Sequence, residues 1–260
     1  MKRKLARITM IMLAIMSMYS YAADNSIYID QAGDGATISV TQDGSGNVVR
    51  ALPGVGTTNQ SPAKIYGDGN QVSVSQVGSG NILRLGINSD TSVGASTVNY
   101  SVSNSMNSSA EIKVGTTSTA STAATINVTQ SGNSSSAVIT SLGASNAITV
   151  NTTGGASNSA TISAVGDNIT ATTAVTGGGA NTINMDLTSS GGSSSATIAG
   201  ASNTVTVTQS GGVIGAQSTI GLTGTGNTIG VTQTGTVADN ISNLTINGSN
   251  STLTINQTAR

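Results

Sequence analysis

Neither cysteine nor histidine occurs in these 260 residues. The usual metal ligands, imidazole acid–base machinery and thiol nucleophiles are therefore missing, and no disulfide framework braces the chain. Tryptophan and phenylalanine are absent too, and tyrosine occurs five times. An ordinary globular core of this length uses aromatics as its bulkiest units, so a thin interior is expected instead. Proline appears only at Pro53 and Pro62, and charged residues make up 7% of the chain. No charge lies between Val114 and Gly166, and from there to Ala259 only Asp167, Asp186 and Asp239 follow. Soluble β proteins usually guard their edge strands with charge or proline. The C-terminal half carries few such guards.

Long apolar runs are lacking except at the N-terminus. There Lys2, Arg3, Lys4 and Arg7 precede an apolar run from Ile8 to Met18, followed by Ser20-Tyr21-Ala22. The run is too short to span a bilayer, and the pattern predicts a secretory signal peptide over 1–22. Its removal leaves five basic against ten acidic residues, a net charge of −5. A mildly acidic chain without a basic patch argues against nucleic acid as a partner.

What is present is a repeat. Asn203-Thr-Val205-Thr-Val207-Thr-Gln209-Ser-Gly211 returns as Asn227-Thr-Ile229-Gly-Val231-Thr-Gln233-Thr-Gly235 and, after the same interval, as Ser251-Thr-Leu253-Thr-Ile255-Asn-Gln257. Apolar and polar residues alternate strictly, so the period is two and the segment is a strand. Parity puts Asn203 and Gln209 on the same face as Val205 and Val207. A buried amide requires a partner, and rungs stacked about 4.8 Å apart would supply one, the Gln of the next rung. The glycine two positions later permits the positive-φ arc that turns the chain into its next strand.

The same register recurs at Asn25, Ile27, Ile29 and Gln31, at Ala36, Ile38, Val40 and Gln42, at Asn70, Val72, Val74 and Gln76, and at Ala124, Ile126, Val128 and Gln130. The Gln-x-Gly step ends in Gly33, Gly44, Gly78, Gly132, Gly211 and Gly235. Chance pairing of 10 Gln with 33 Gly would give about one such step. Shallower strands alternate with these, such as Ser194-x-Ala196-x-Ile198, Ser218-x-Ile220-x-Leu222 and Ser242-x-Leu244-x-Ile246, spaced by the same interval. The predicted fold is all-β, a β-solenoid or β-arcade of about ten two-strand rungs with 22–24-residue repeats, filling 23–260. Irregular insertions are expected at about 52–67, bracketed by the two prolines, and at about 88–123. In Asn146-x-Ile148-x-Val150-x-Thr152 and Asn181-x-Ile183-x-Met185-x-Leu187 the Gln position holds Thr or Leu.

Candidate assembly residues follow from this pattern. Gln31, Gln42, Gln76, Gln130, Gln209, Gln233 and Gln257 form the expected Gln ladder. Asn25, Asn47, Asn70, Asn81, Asn203 and Asn227 form the Asn rows, and the six Gln-x-Gly glycines form the arcs. Solenoid ends are rows of unpaired backbone groups, each a template for another chain. No cap is read after Gln257, and templated end-on addition is the expected mechanism. No catalytic residue, metal site or cofactor site is found. Asp30, Asp34 and Asp43 read as solvated turn residues, and Gly177-Gly-Gly179 lacks the Lys of a phosphate loop.

The runs Tyr28-Ile-Asp-Gln31-Ala-Gly33, Gln42-Asp-Gly44-Ser-Gly-Asn47 and Gln76-Val-Gly78-Ser-Gly-Asn81 resemble the repeats of the curlin family, the secreted subunits of curli amyloid fibres. The resemblance implies a structural protein that polymerises outside a Gram-negative cell in biofilm matrix and adhesion. It further implies passage through an outer-membrane secretion pore with accessory factors, and a related fibre subunit as partner. The alternative is a non-polymerising β-solenoid surface adhesin or matrix protein.

Overall fold

A computed structural model of the chain describes residues 24–52, 60–88, 95–115, 123–154, 156–177, 179–188, 191–210, 216–235 and 240–259. The predicted signal peptide at 1–22 and Gly211 lie outside the described residues. The chain is an all-β solenoid whose strands alternate between two parallel sheets, two strands to a turn.

The long sheet holds β1 (Ser26–Ile27), β2 (Ile29–Ala32), β4 (Val48–Arg50), β5 (Ala63–Tyr66), β7 (Ile82–Asn88), β9 (Ser109–Lys113), β11 (Ser136–Ser141), β13 (Asn158–Ala164), β15 (Asn181–Leu187), β17 (Thr204–Ser210), β19 (Thr228–Gly235) and β21 (Thr252–Ala259). The short sheet holds β3 (Thr37–Ser45), β6 (Gln71–Ser79), β8 (Thr97–Met106), β10 (Thr125–Ser131), β12 (Ala147–Thr153), β14 (Thr170–Thr176), β16 (Ser193–Ala199), β18 (Gln217–Thr223) and β20 (Ile241–Asn247). The long-sheet path from β1 to β21 has ten strands and the short sheet nine.

Alternation decides which side chains enter the core. In β15 the even-numbered side chains face solvent while Asn181, Ile183, Met185 and Leu187 are buried. In-register pairing then stacks like on like: Leu85, Ile112, Ile139, Ile162, Met185, Val207, Val231 and Ile255 form one unbroken apolar column. At roughly 25 cal/mol per Å² of apolar area buried, such columns are the main stabilising term.

Some core positions on the short sheet are polar. Thr173 sits between Val150 and Ala196 in the pairing register and is fully buried, yet its hydroxyl has no hydrogen-bond partner. Ser194 and Ser218 stack in register nearby with the same deficit. Valine is close to isosteric with threonine and removes the orphan hydroxyl. Thr173→Val is therefore expected to raise stability by about 1–2 kcal/mol, read as a higher denaturant midpoint at unchanged m-value.

The segments expected to be irregular are partly strand. β4 and β5 both pair with β7, through Val48↔Ile82 and Lys64↔Gly86. The chain thus leaves the rung in mid-strand after Arg50 and rejoins the same rung at Ala63, rather than looping between rungs. Residues 63–66 are strand because Ala63 and Ile65 are buried in the core. Within 88–123, β8 and β9 are rungs of the same two sheets, with Val98, Tyr100 and Val102 pointing inward and one extra residue in β8 between Val102 and Ser105.

Candidate functional site

The Gln residues do not form one ladder. Gln209, Gln233 and Gln257 stack in register on the long sheet, with Gln209 Nε2 donating to Gln233 Oε1 at 2.9 Å and Gln233 Nε2 to Gln257 Oε1 at 2.7 Å. Gln42, Gln76 and Gln130 lie on the short sheet, where Gln42 Nε2 donates to Gln76 Oε1 at 2.8 Å. Each ladder also bridges the sheets. Gln42, Gln209, Gln233 and Gln257 donate to the carbonyls of Ser26, Ser193, Gln217 and Ile241, respectively, at 3.0–3.4 Å. Gln31 joins neither ladder. It pairs in register with Ile65 and donates to Gly33 O instead.

Between Gln76 and Gln130 the register position is Val102. The gap is filled from two residues away: the hydroxyl of buried Tyr100 donates to Gln130 Oε1 at 3.1 Å, with the Gln76 side chain on its other side. Burial pushes the Tyr100 phenol well above its ordinary value, the Gln76 side chain partly opposing this. It is held neutral, a donor. Where no such relay exists the ladders stop with a deficit. Thr152 follows Gln130 in register, and its hydroxyl is unpartnered. Gln209 Oε1 is also unpartnered, since the position one step beyond Asp186↔Thr208 holds Leu187.

The Asn row is more continuous. At the corner entering the long sheet, Asn25 Oδ1 accepts from Asn47 N at 2.9 Å, Asn47 Oδ1 from Asn81 N at 3.1 Å, and Asn81 Oδ1 from Ser108 N at 3.0 Å. Farther on, Asn181, Asn203 and Asn227 accept in the same way from Asn203 N, Asn227 N and Ser251 N at 2.8–3.1 Å. Asn158 and Asn181, not among the sequence candidates, carry this row through the region that lacks Gln, Asn181 Nδ2 donating to Asn158 Oδ1 at 3.4 Å. Their phrases, Asn158-x-Ala160-x-Ile162 and Asn181-x-Ile183-x-Met185, carry the signal. Asn70 serves the opposite corner, its Oδ1 accepting from Ser96 N at 3.0 Å.

The arc glycines divide the same way. Gly44, Gly78 and Gly132 lie on the arc from the short sheet to the long one with φ of 109°, 125° and 94°. Gly154, Gly177, Gly200 and Gly224 continue that arc at positive φ. A Cβ on Gly44, Gly200 or Gly224 would fall within 1.9 Å of the next rung's carbonyl oxygen. Corner Asn side chains hold those same carbonyls: Asn203 Nδ2 donates to Gly224 O and Asn227 Nδ2 to Gly248 O, both at 2.8 Å. Gly33, at φ 119°, stacks on Gly67 in the opposite arc. Gly235 lies at the end of β19, as Gly44 and Gly78 lie at the ends of β3 and β6, and pairs in register with Ala259.

Charged residues of both signs meet on one face. Arg50 and Arg84 are adjacent in register on the outer face of the long sheet, with Lys64 and Lys113 on either side of Gly86. The face is mixed in sign, since Asp30 pairs with Lys64 and Glu111 with Arg84 in register, so bringing residues as far apart along the chain as Arg50 and Lys113 together makes no uniformly basic patch. Burial first, then the Arg84 charge, lowers the Arg50 pKa. Among the described residues no group of three or more His, Cys, Asp or Glu side chains could hold a metal ion.

The apolar residues packed against the core but only partly buried are Ile29, Ile38 and Val40 in the first rungs and Leu244, Ile246 and Ile255 in the last. Ile27, of inward parity in β1, is 48% exposed. Among the described residues, columns that are dry along the solenoid thus open at both ends. No protein-family model, curated protein or solved structure matches this chain.

Proposed function

We propose that this chain is a secreted structural subunit, similar to the curlins, that adds end on to copies of itself and builds extracellular cross-β fibres of biofilm matrix and adhesion. Residues 1–22 act as the leader removed on export. By that resemblance, a related fibre subunit and an outer-membrane secretion pore with its accessory factors are its partners. The role is structural rather than enzymatic, and it calls for no cofactor and no nucleic acid.

The observation that carries this reading is the pair of open ends. Ile27, Ile29, Ile38 and Val40 at one end match Leu244, Ile246, Leu253 and Ile255 at the other in kind and spacing. A second copy buries these side chains and pairs the edge strands at once, and exposed edges with apolar faces are what strand addition requires. The Gln and Asn rows then fix the register, because a one-residue slip sets every inward side chain outward.

Incubation of the chain from residue 23 onward tests this. Thioflavin fluorescence should rise after a lag, and aligned fibres should diffract at about 4.7–4.8 Å and ~10 Å. The Gln209→Ala, Gln233→Ala double variant is expected to lengthen the lag and slow elongation several-fold. Unchanged kinetics would sink the role of the ladder, and a chain that stays monomeric without cross-β signal would favour the surface adhesin.

A further inference from the structure

The two Gln ladders are built alike but sit on opposite sheets. Gln209 and Gln233 each donate one bond across to a backbone carbonyl and one along the axis to the next Gln Oε1. Gln257 makes the first of these, to Ile241 O at 3.0 Å; among the described residues no Gln follows it. At the other end Gln42 donates to both Ser26 O and Gln76 Oε1, and its own Oε1 occupies the acceptor end of its ladder. One sheet finishes with a donor and the other begins with an acceptor.

From this we infer that successive copies stack with a half-turn between them, so that the long sheet of one copy continues as the short sheet of the next. The inference rests on the end-on assembly proposed above. Strands of the two sheets run in opposite directions as the chain winds, so a half-turn about the solenoid axis exchanges the sheets while keeping stacked strands parallel and inward side chains inward. It sets β3 on β21, with Ile38, Val40 and Gln42 over Leu253, Ile255 and Gln257. Gln257 Nε2 then meets Gln42 Oε1, and the two ladders become one across the joint.

On the second pair of edges β1 and β2 land on β20, which puts Asn25 on Asn240 and Ile29 on Leu244, with Ile27 over Ser242 and Gln31 over Ile246. Asn240 Nδ2 is engaged with Thr234 O at 3.3 Å, and its Oδ1 is the acceptor for the Asn25 amide, repeating the bond from Asn47 N to Asn25 Oδ1. Strand number favours the same joint. The described strands alternate between sheets, and both the first and the last belong to the long sheet. Stacking without rotation also brings a Gln, Gln31, over Gln257, but by setting β1 and β2 on β21 and β3 on β20 it leaves one strand position, about 4.8 Å, empty in the short sheet. The half-turn leaves no such gap.

Cysteine cross-linking tests the joint, since the chain has no cysteine of its own. With a half-turn, outward Thr254 lies beside outward Ser39 of the next copy; without one it lies beside Tyr28. Neighbouring strands hold Cα atoms within disulfide range. Oxidised fibres of the Ser39→Cys, Thr254→Cys variant are expected to give a covalent ladder of multimers on a denaturing gel, and those of Tyr28→Cys, Thr254→Cys monomer only. The reverse result, or fibres in which neither pair links, overturns the half-turn; failure of the unmodified chain to form fibres overturns end-on assembly itself. A cryo-microscopy reconstruction of unmodified fibres reads the angle directly, with a half-turn per copy expected and a rotation near zero refuting it.

Discussion

Gly224→Ala is expected to unravel the C-terminal rungs, at a cost on the order of 4 kcal/mol or more. Gly224 has φ +134°, and a Cβ there would sit 1.7 Å from Gly248 O and 2.7 Å from its carbonyl carbon. Backbone does not yield as a flexible side-chain tip does. The left-handed conformation alone costs an L-residue about 1–3 kcal/mol. Relief of the clash requires that Gly248 move, and Gly248 O is held by Asn227 Nδ2 at 2.8 Å. Asn227 Oδ1 in turn receives Ser251 N, so the strain passes into β21. Gly230→Ala is the control. Gly230 faces outward in β19 with nothing within 4 Å of a built Cβ, and alanine there is expected to change stability by less than about 0.5 kcal/mol. Denaturant titration with hydrogen exchange at 241–259 would distinguish the two. Similar behaviour of both variants would mean that the stacked arc does not govern the rungs.

Tyr100→Phe is expected to cost about 2–4 kcal/mol although it deletes one oxygen atom. The packing of the ring is kept, but Gln130 Oε1 loses its donor in the dry interior, and Gln76 loses the polar group beside it. Orphaned buried groups cost more than the bond they made. Adding Val102→Gln, which puts an amide into the register gap between Gln76 and Gln130, should recover part of the loss. A non-additive double-mutant cycle would reveal that coupling, and simple additivity would argue against a relay. The same hydroxyl has a pH signature. Its folded pKa lies above the unfolded value of about 10, so its contribution is fully present below that value and is lost as pH rises towards the folded pKa. Alkaline destabilisation above about pH 10 should be shallower in Tyr100→Phe than in the parent.

The architecture was legible in the sequence because inward parity, arc glycine and repeat length are all local properties of a strand and its turn. Asn203 to Gln209 reads the same whichever sheet it joins. For that reason the sequence could not divide the Gln residues between sheets: Gln42 and Gln209 have closely similar local phrases, and only the number of strands between them decides the face. Tyr100 was missed for a related cause. Its parity marks it as core, but its reach to Gln130, on the next strand of the sheet, depends on Val102 leaving space in register. The Ser105 arc, which replaces glycine between Gly78 and Gly132, hid β8 and β9 inside a segment that reads as irregular. There the Ser105 hydroxyl bonds to Ser108 Oγ and Gly132 O, so a side chain ties together what backbone freedom does elsewhere. The loop after Arg50 was expected from its prolines, but its departure from mid-strand follows only from the shared partner β7.

The winding of the chain around two sheets has a mechanical consequence. Within one copy every rung is joined to the next by both hydrogen bonds and the continuous covalent spiral through its arcs. Between copies of the proposed fibre only the hydrogen bonds and the apolar contact remain. A filament under tension would therefore part at its joints and shed whole copies, each exposing the same edges that recruited it, so that breakage multiplies growing ends rather than destroying them.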